Sequence, residues 1–227
     1  MRPIIETHGL TKVFGSNGMA VHALCGIDLT VSAGEFVALV GPSGSGKSTL
    51  MAIIGCLDSP TKGSYAIDGT NVEGLSGAAL ARIRNEKVGF VFQSYNLLPR
   101  TSAIENVATP LMYQGVGKKE RLARAAMALE RLGLGDRLDH EPSELSGGQQ
   151  QRVGIARALV TEPALILADE PTGNLDSHSG AEVLELFRDL HAIGRTIVLI
   201  THDTDVAAAA DREVHLRDGQ LQEAVPA

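Results

Sequence analysis

Gly41-Pro42-Ser43-Gly44-Ser45-Gly46-Lys47-Ser48-Thr49 follows the apolar run Phe36-Val37-Ala38-Leu39-Val40 and leads into Leu50-Met51-Ala52-Ile53-Ile54. The order reads as buried strand, glycine-rich loop and helix, and Gly41 to Ser48 has the spacing G-x-x-x-x-G-K-[ST] of a phosphate-binding loop. Glycines let backbone N–H groups turn inward and approach a phosphate chain without a Cβ in the way. The helix that starts here aims its unpaired N–H groups and the positive end of its dipole at the same anion. Lys47 is placed to supply a mobile positive charge for the β- and γ-phosphates, and Ser48 a hydroxyl for Mg²⁺.

The chain has 227 residues, enough for one large domain or a domain with a lobe. At 44% hydrophobic with 4% aromatic and no Trp, its core must be packed mainly from aliphatic side chains. Lys and Arg number 20 against 27 Asp and Glu, a net charge of −7 with no basic block, which argues against nucleic acid as a partner. Cys25 and Cys56 lie in apolar surroundings without metal-ligand spacing and read as buried free thiols. Met1-Arg2-Pro3-Ile4-Ile5-Glu6 lacks the apolar stretch of a signal peptide, and no apolar run approaches the ~20 residues that span a bilayer. A soluble chain is expected; work at a membrane would need spans from another polypeptide.

Residues 4–40 alternate short apolar runs with turn residues, with Ser32-Ala33-Gly34-Glu35 as a turn, and predict an antiparallel β layer leading into the strand before the loop. Phe14, beside Gly15-Ser16-Asn17-Gly18, lies in that layer; an aromatic there can stack on adenine or belong to the core. A helix is predicted over 50–57, a short strand over Ser64–Ile67 and an amphipathic helix over 76–86 with Leu80 and Ile83 on one side. Val88 to Phe92 is a short buried strand ending at Gln93. From 94 to 160 helical patterns replace strands: Ala103–Tyr113, Lys118–Leu132 and Gly147–Val160, the second with Leu122, Ala125, Ala126, Leu129 and Leu132 on one face. This is expected to be a helical lobe inserted into an α/β core formed by 1–93 and 161–227. The apolar strands Ala164–Ala168 and Thr196–Ile200 flank a helix at 178–192, and Asp218-Gly219 marks a closing hairpin.

Continuous apolar strands alternating with helices predict a mostly parallel sheet covered on both faces, and ligands bind such sheets outside the carboxyl ends of the strands. Four predicted strands end in polar chemistry: Val40 at the phosphate loop, Phe92 at Gln93, Ala168 at Asp169-Glu170, Ile200 at Thr201-His202. Parallel strands would bring all four ends to one crevice. Asp169 suits a Mg²⁺ held through water. Glu170 is placed to polarise a water for in-line attack on a γ-phosphate. Gln93 can bond to the metal and the water, and His202 can contact the γ-phosphate or that water. Read alone, Asp169-Glu170 would be a helix N-cap pair and His202 a surface turn.

Leu145-Ser146-Gly147-Gly148-Gln149 precedes another long helix. Ser146 is a predicted N-cap, and the paired glycines expose N–H groups at the helix start, a second anion site. Two phosphate-binding surfaces on different lobes of one chain suggest a head-to-tail pair, each nucleotide lying between one copy's phosphate loop and the other's Ser146 loop.

With these motifs the sequence resembles the ATP-binding-cassette (ABC) ATPases over about Ile4 to Leu221. GPSGSGKST (41–49), Gln93, LSGGQ (145–149), LILADE (165–170), Asn174-Leu175-Asp176 and His202 stand in the family's order. The resemblance implies a P-loop NTPase fold of ABC type and MgATP as ligand. It implies that Ser146, Gly147, Gly148 and Gln149 bind the γ-phosphate of the partner's ATP, and that Asp176 reaches across a dimer. Phe14 matches the adenine-stacking aromatic, a position more often Tyr. Gly55-Cys56-Leu57-Asp58, Gly89 to Pro99 and Glu170 to Ser177 resemble the macrolide-export and lipoprotein-release subgroup, and the cell-division ATPase is similar too. That likeness implies a homodimer peripheral on the inner face of the cell membrane, driving an integral membrane partner. In the family, Tyr95–Arg100 helps form the groove that receives this partner; Leu97 and Leu98 could equally be lobe core. The alternative is an ABC ATPase that regulates cell-wall or cell-division machinery without transport. A single cassette and acidic balance argue against action on ribosomes or DNA, and Glu170 with His202 against a non-catalytic switch.

Overall fold

The structure, a computed structural model, describes residues 2–15 and 20–222. It opens with two long antiparallel strands, β1 (Pro3–Phe14) and β2 (Val21–Ser32). β3 (Phe36–Val40) leads through the glycine-rich loop into α1 (Lys47–Ile54). β4 (Lys62–Ile67) and β5 (Thr70–Asn71) follow, then α2 (Gly77–Lys87) and β6 (Val88–Phe92). Next come α3 (Ala103–Tyr113), α4 (Lys118–Arg131) and α5 (Gly147–Leu159). The chain closes with β7 (Leu165–Asp169), α6 (Ser177–Ala192), β8 (Ile197–Thr201), α7 (Thr204–Ala207), β9 (Arg212–Arg217) and β10 (Gln220–Gln222).

Two sheets result. One has the order β2-β1-β4-β5 and the other β10-β9-β3-β8-β7-β6. In the second, β9, β3, β8, β7 and β6 run parallel, and only the edge strand β10 is antiparallel. The burial pattern explains the unbroken apolar runs. Side chains alternate across a strand. Val198 and Ile200 of β8 therefore pack with α1 and the antiparallel sheet, in a cluster with Ile5, Leu24, Ile27, Leu50 and Ile53. Ile197 and Leu199 pack on the other face with Phe36, Ile166, Val183 and Phe187. Both faces are covered, which keeps Ile197–Ile200 apolar; buried Thr201 ends the strand.

The three helices between β6 and β7 have their own core, built from Val107, Leu111, Ala125, Leu129, Val153 and Ala156. In α4, Ala125 and Leu129 are buried while Leu122 and Leu132 pack partly against that cluster, the predicted face. Fully buried Asn106 staples the entry to this lobe: Oδ1 accepts from Leu98 N at 2.7 Å, and Nδ2 donates to the carbonyls of Leu98, Thr101 and Ser102 at 3.2, 2.9 and 3.1 Å.

Some expectations change. The first helix starts at Lys47 rather than 50 and ends before Cys56, whose φ of 56° cannot continue it. α2 buries no residue; Leu80 and Ile83 only lean on the core. Cys56 is buried, and burial pushes its thiol up to about 11, but Cys25 is only half-buried. The hairpin around Asp218-Gly219 is present, yet β9 also joins the main sheet beside β3, with Val37 opposite Arg212 and Val40 opposite His215. Ser16, Asn17 and Gly18, read as part of the turn after Phe14, lie outside the described residues.

Candidate functional site

β3 delivers the loop of residues 41–46 to the edge of the sheet. Gly46 is the N-cap of α1 at φ 107°, and no side chain caps this helix start. The conformation excludes a side chain, since a Cβ on Gly46 would lie 2.5 Å from the Ala23 carbonyl oxygen. Ser76, Ser102 and Asp176 spend side-chain oxygens on the first turns of α2, α3 and α6; the first turn of α1 has no such partner and presents N–H groups and the positive dipole end outward. Lys47 Nζ lies over the loop, donating to Gly41 O at 2.6 Å and Pro42 O at 2.9 Å. Pro42, Ser43, Gly44 and Ser48 are exposed and Thr49 is half-buried. Ser45 differs from its neighbours: it is 3% exposed and its Oγ has no partner, so its side chain faces inward.

The neighbouring strand ends are in register. Val40 stands opposite Thr201, Ile200 opposite Asp169, and Asp169 opposite Phe92. The four strand ends predicted to converge are thus side by side. Burial, then the neighbouring Glu170 charge, push the Asp169 carboxyl above the usual carboxylate range, while Lys47 pulls it back. Glu170 follows in a left-handed conformation, φ 45°. Its N–H donates to Ile200 O at 2.9 Å and its carbonyl accepts from Gly173 N at 3.0 Å. The Glu170 side chain is 17% exposed, and Oε1 lies 2.6 Å from Nδ1 of His202, itself 73% exposed. A proton on Nδ1 makes this a charge-assisted hydrogen bond to the carboxylate.

Gln93 is exposed at the end of β6, where it forms a reciprocal pair with Asn174. Its Nε2 donates to Asn174 Oδ1 at 3.2 Å, and Asn174 Nδ2 donates to Gln93 O at 3.1 Å. The Tyr95 hydroxyl donates to Asn174 O at 3.3 Å. Arg157 of α5 donates to the Tyr95 and Asn96 carbonyls at 2.9 and 2.5 Å, holding two consecutive left-handed residues.

Ser146 caps α5 as expected, in a reciprocal box: its Oγ accepts from Gln149 N at 3.3 Å, and Gln149 Oε1 accepts from Ser146 N at 2.9 Å. Gly147 sits against Tyr95, where a Cβ would come within 2.9 Å of the phenol oxygen; Gly148 is buried. Asp176 is itself the N-cap of α6. Its Oδ1 accepts from His178 N and Ser179 N at 3.1 and 3.0 Å, and these bonds, the Ser179 amide first, hold its carboxyl below the usual range.

Phe14 ends β1 with 44% of its surface exposed, and Lys12 Nζ stands 5.0 Å from the ring centroid. Lys12 also pairs with Asp58 at 2.7 Å. Of the segment after Gln93, Leu97 packs into the lobe core whereas Leu98 is 48% exposed. Asn96 lines a groove of ≈ 1130 Å³ between core and lobe, together with Phe90, Phe92, Pro110, Tyr113 and Arg157.

The structure therefore joins the phosphate loop, Asp169, Glu170 and His202 at one edge. It sets Gln93, at the end of β6, against the loop before Asp176 through Asn174, and Ser146–Gln149 on the lobe. Sequence reasoning missed the local capping role of Asp176, although Asp followed by Ser-His-Ser before an apolar-periodic run is an N-cap signature. It named Tyr95 and Asn174 within motifs but not the contacts they make, and it missed Gln151; all three depend on partners remote in sequence.

The fold and the phosphate loop define a P-loop NTPase. Residues 24–173, more than half the chain, match the family described as ABC transporter, and the chain belongs to that family as its ATP-binding cassette, an ATPase. A Thermotoga maritima protein named an uncharacterized ABC transporter ATP-binding protein is 53% identical over 222 residues, covering 98% of this chain and 95% of the relative. A Marinobacter nauticus macrolide export ATP-binding/permease protein, MacB, is 56% identical over 222 residues. That match covers 98% of this chain but 34% of the relative, so the chain spans about a third of MacB. Among solved structures, the ATP-binding cassette MJ0796, dimeric in a post-hydrolysis state bound to ADP and Pi, is 42% identical with a TM-score of 0.89, covering 98% of both chains.

Proposed function

We propose that this chain binds MgATP, closes head-to-tail on a second copy around two ATPs, hydrolyses them and thereby drives a separate integral membrane partner of the macrolide-export type. The observation that carries the reading is the hydrogen-bonded Glu170–His202 pair at the same sheet edge as the phosphate loop.

In this reading the N–H groups of Gly41–Thr49 cradle the phosphates and Lys47 swings from its loop carbonyls onto them. Glu170 orients a water and takes its proton as the γ-phosphate is attacked, and His202 holds that carboxylate in place. Phe14 offers a ring face to adenine. The residues present fit Mg²⁺. Asp169 carries a carboxylate whose charge is poorly met in the protein alone, and Ser48 presents an exposed hydroxyl in the first turn of α1. Hard oxygen donors of this kind suit Mg²⁺, which binds through few protein ligands and the substrate's phosphates. Asp169, in part through water, Ser48 and Gln93 would hold the ion, which when bound neutralises charge on the phosphates.

Ser146, Gly147, Gly148 and Gln149 serve the partner's ATP, and Asp176 reaches across the dimer. The MJ0796 cassette is described as dimeric, which supports the pairing. The lobe, about 94–160, tilts on the core, 1–93 with 161–227, and the groove around Asn96 and Arg157 takes the membrane partner. Among the described residues no helix is long and apolar enough to cross a membrane. MacB is described as an ATP-binding/permease protein, and we assign this chain the ATP-binding share, on the inner membrane face.

The test is Glu170→Gln. It should keep ATP binding, lose about 10²- to 10⁴-fold in turnover, and accumulate an ATP-bound dimer in size-exclusion chromatography with light scattering. Near-normal turnover would remove Glu170 as the base.

A further inference from the structure

Gln151 is fully buried, one helical turn beyond Gly147 on α5. Its Nε2 donates to the Pro171 carbonyl at 2.7 Å, and its Oε1 has no hydrogen-bond partner among the described residues. Along the same face, Gly147 lies against Tyr95 and Leu175, and Gly154 against the Tyr95 carbonyl. Small residues thus let α5 approach the loops at the strand ends, and Gln151 is the polar group it sends into them. A buried amide oxygen without a partner is unfavourable; an apolar residue of similar shape would avoid that cost but leave the Pro171 carbonyl unpaired. What the glutamine adds is therefore its one bond, to the Pro171 carbonyl, set against the cost of the orphan oxygen.

Pro171 follows Glu170, which is held at φ 45°. A residue before proline prefers extended backbone, and a side chain disfavours the left-handed region. This elbow has to be over-determined by its surroundings. The Glu170 N–H is held by Ile200 O and its carbonyl by Gly173 N. The next peptide plane is held by Gln151, through the carbonyl of buried Pro171.

We propose that Gln151 is a positioning residue for Glu170: its amide fixes the Pro171 carbonyl and so the elbow that aims the Glu170 carboxylate at the γ-phosphate. The proposal rests on Glu170 acting as the base. It also makes α5 a strut, with Ser146 and Gly147 in its first turn and the grip on the elbow in its second.

The experiment compares Gln151→Leu and Gln151→Glu with wild type and Glu170→Gln, measuring kcat, KM for ATP and melting temperature. Gln151→Leu keeps the volume and removes both the donor and the orphan oxygen. It should lower kcat about 10- to 100-fold, the scale of a misplaced catalytic group, with KM within about twofold and only a small change in melting temperature, because losing the orphan oxygen offsets leaving the Pro171 carbonyl unpaired. Gln151→Glu supplies a donor only when protonated, and burial favours the protonated form. Its kcat relative to wild type should recover as the pH is lowered from about 8 to about 6, while the ratio for Gln151→Leu stays flat. Wild-type kcat in Gln151→Leu would overturn the proposal. So would kcat, KM and melting temperature deteriorating together, or a pH-independent ratio for Gln151→Glu. Near-normal turnover in Glu170→Gln would instead refute the assignment of the base, whatever the Gln151 variants do.

Discussion

Asp169 and Glu170 are adjacent carboxylates in different surroundings, and the roles proposed for them differ accordingly. Glu170 has a histidine partner at 2.6 Å, whereas Asp169 has burial and a like-charged neighbour against it and only Lys47 in its favour. Its folded-state pKa is therefore raised. A carboxyl shifted this way binds its proton more tightly in the folded chain, so stability falls as pH rises from the ordinary carboxylate range through the raised value. Above that window, ionised Asp169 costs stability until a cation compensates it. Asp169→Asn is expected to raise the melting temperature of the nucleotide-free protein above the raised pKa and flatten this part of its pH dependence. It should also shrink the stabilisation given by MgATP and lower turnover about 100-fold or more, the scale of losing a charge-stabilising group. Thermal melts across pH, with and without MgATP, check all but the last. An unchanged or lower melting temperature without nucleotide would refute the charge argument. Asp176 works oppositely: its amide partners lower its pKa, so what it contributes to stability is present above the ordinary range and lost on acidification through the lowered value.

At the scale of elements, the parallel strands β3, β6, β7 and β8 were legible because each is covered on both faces, which leaves a continuous apolar run that stops where the sheet meets solvent. β8 shows it: five buried residues, then exposed His202. The lobe helices were legible from their period and caps, such as Ser102 before α3 and Ser146 before α5. The place of β9 was not, because its pairing with β3 joins Val37 to Arg212, far apart in the chain. The register shifts between β1 and β2 were equally hidden. Of the site, the residues with chemistry stood at readable strand ends. The groups that hold them, Tyr95, Asn174 and Gln151, did not, since an uncharged polar residue gives no sign of which distant carbonyl it will meet. Asn106 is another such case, and it tests how the lobe is tied to the core. Asn106→Leu preserves volume but strips partners from the Leu98 N–H and from the Leu98 and Thr101 carbonyls. The expected cost is about 2–4 kcal/mol in urea unfolding, with faster proteolysis in residues 97–102. A loss below about 0.5 kcal/mol, the size of a neutral surface change, would show that water satisfies these groups instead.

For the whole molecule, the decisive question is whether Ser146 serves its own chain or its neighbour. The α5 start and the phosphate loop belong to different lobes, and an isologous pair of such chains would contain two identical composite sites. Each would take Lys47 from one copy and Ser146 from the other. Lys47→Ala and Ser146→Arg should each abolish hydrolysis, the first by losing ATP affinity and the second while ATP still binds the monomer. Mixed in equal amounts, they separate the alternatives. In a mixed dimer built head-to-tail, one composite site carries both lesions and the other carries neither. Half the dimers would be mixed, each with one working site, so activity should return to about a quarter of wild type if the sites are independent. If the Ser146 loop served its own chain, every site would carry one lesion and the mixture would remain inactive. Titrating one variant into the other while following phosphate release distinguishes these outcomes. The recovered rate should peak near equal amounts, because that composition maximises mixed pairs. Absence of any recovery would overturn the head-to-tail arrangement and leave Ser146 as no more than the cap of its own helix.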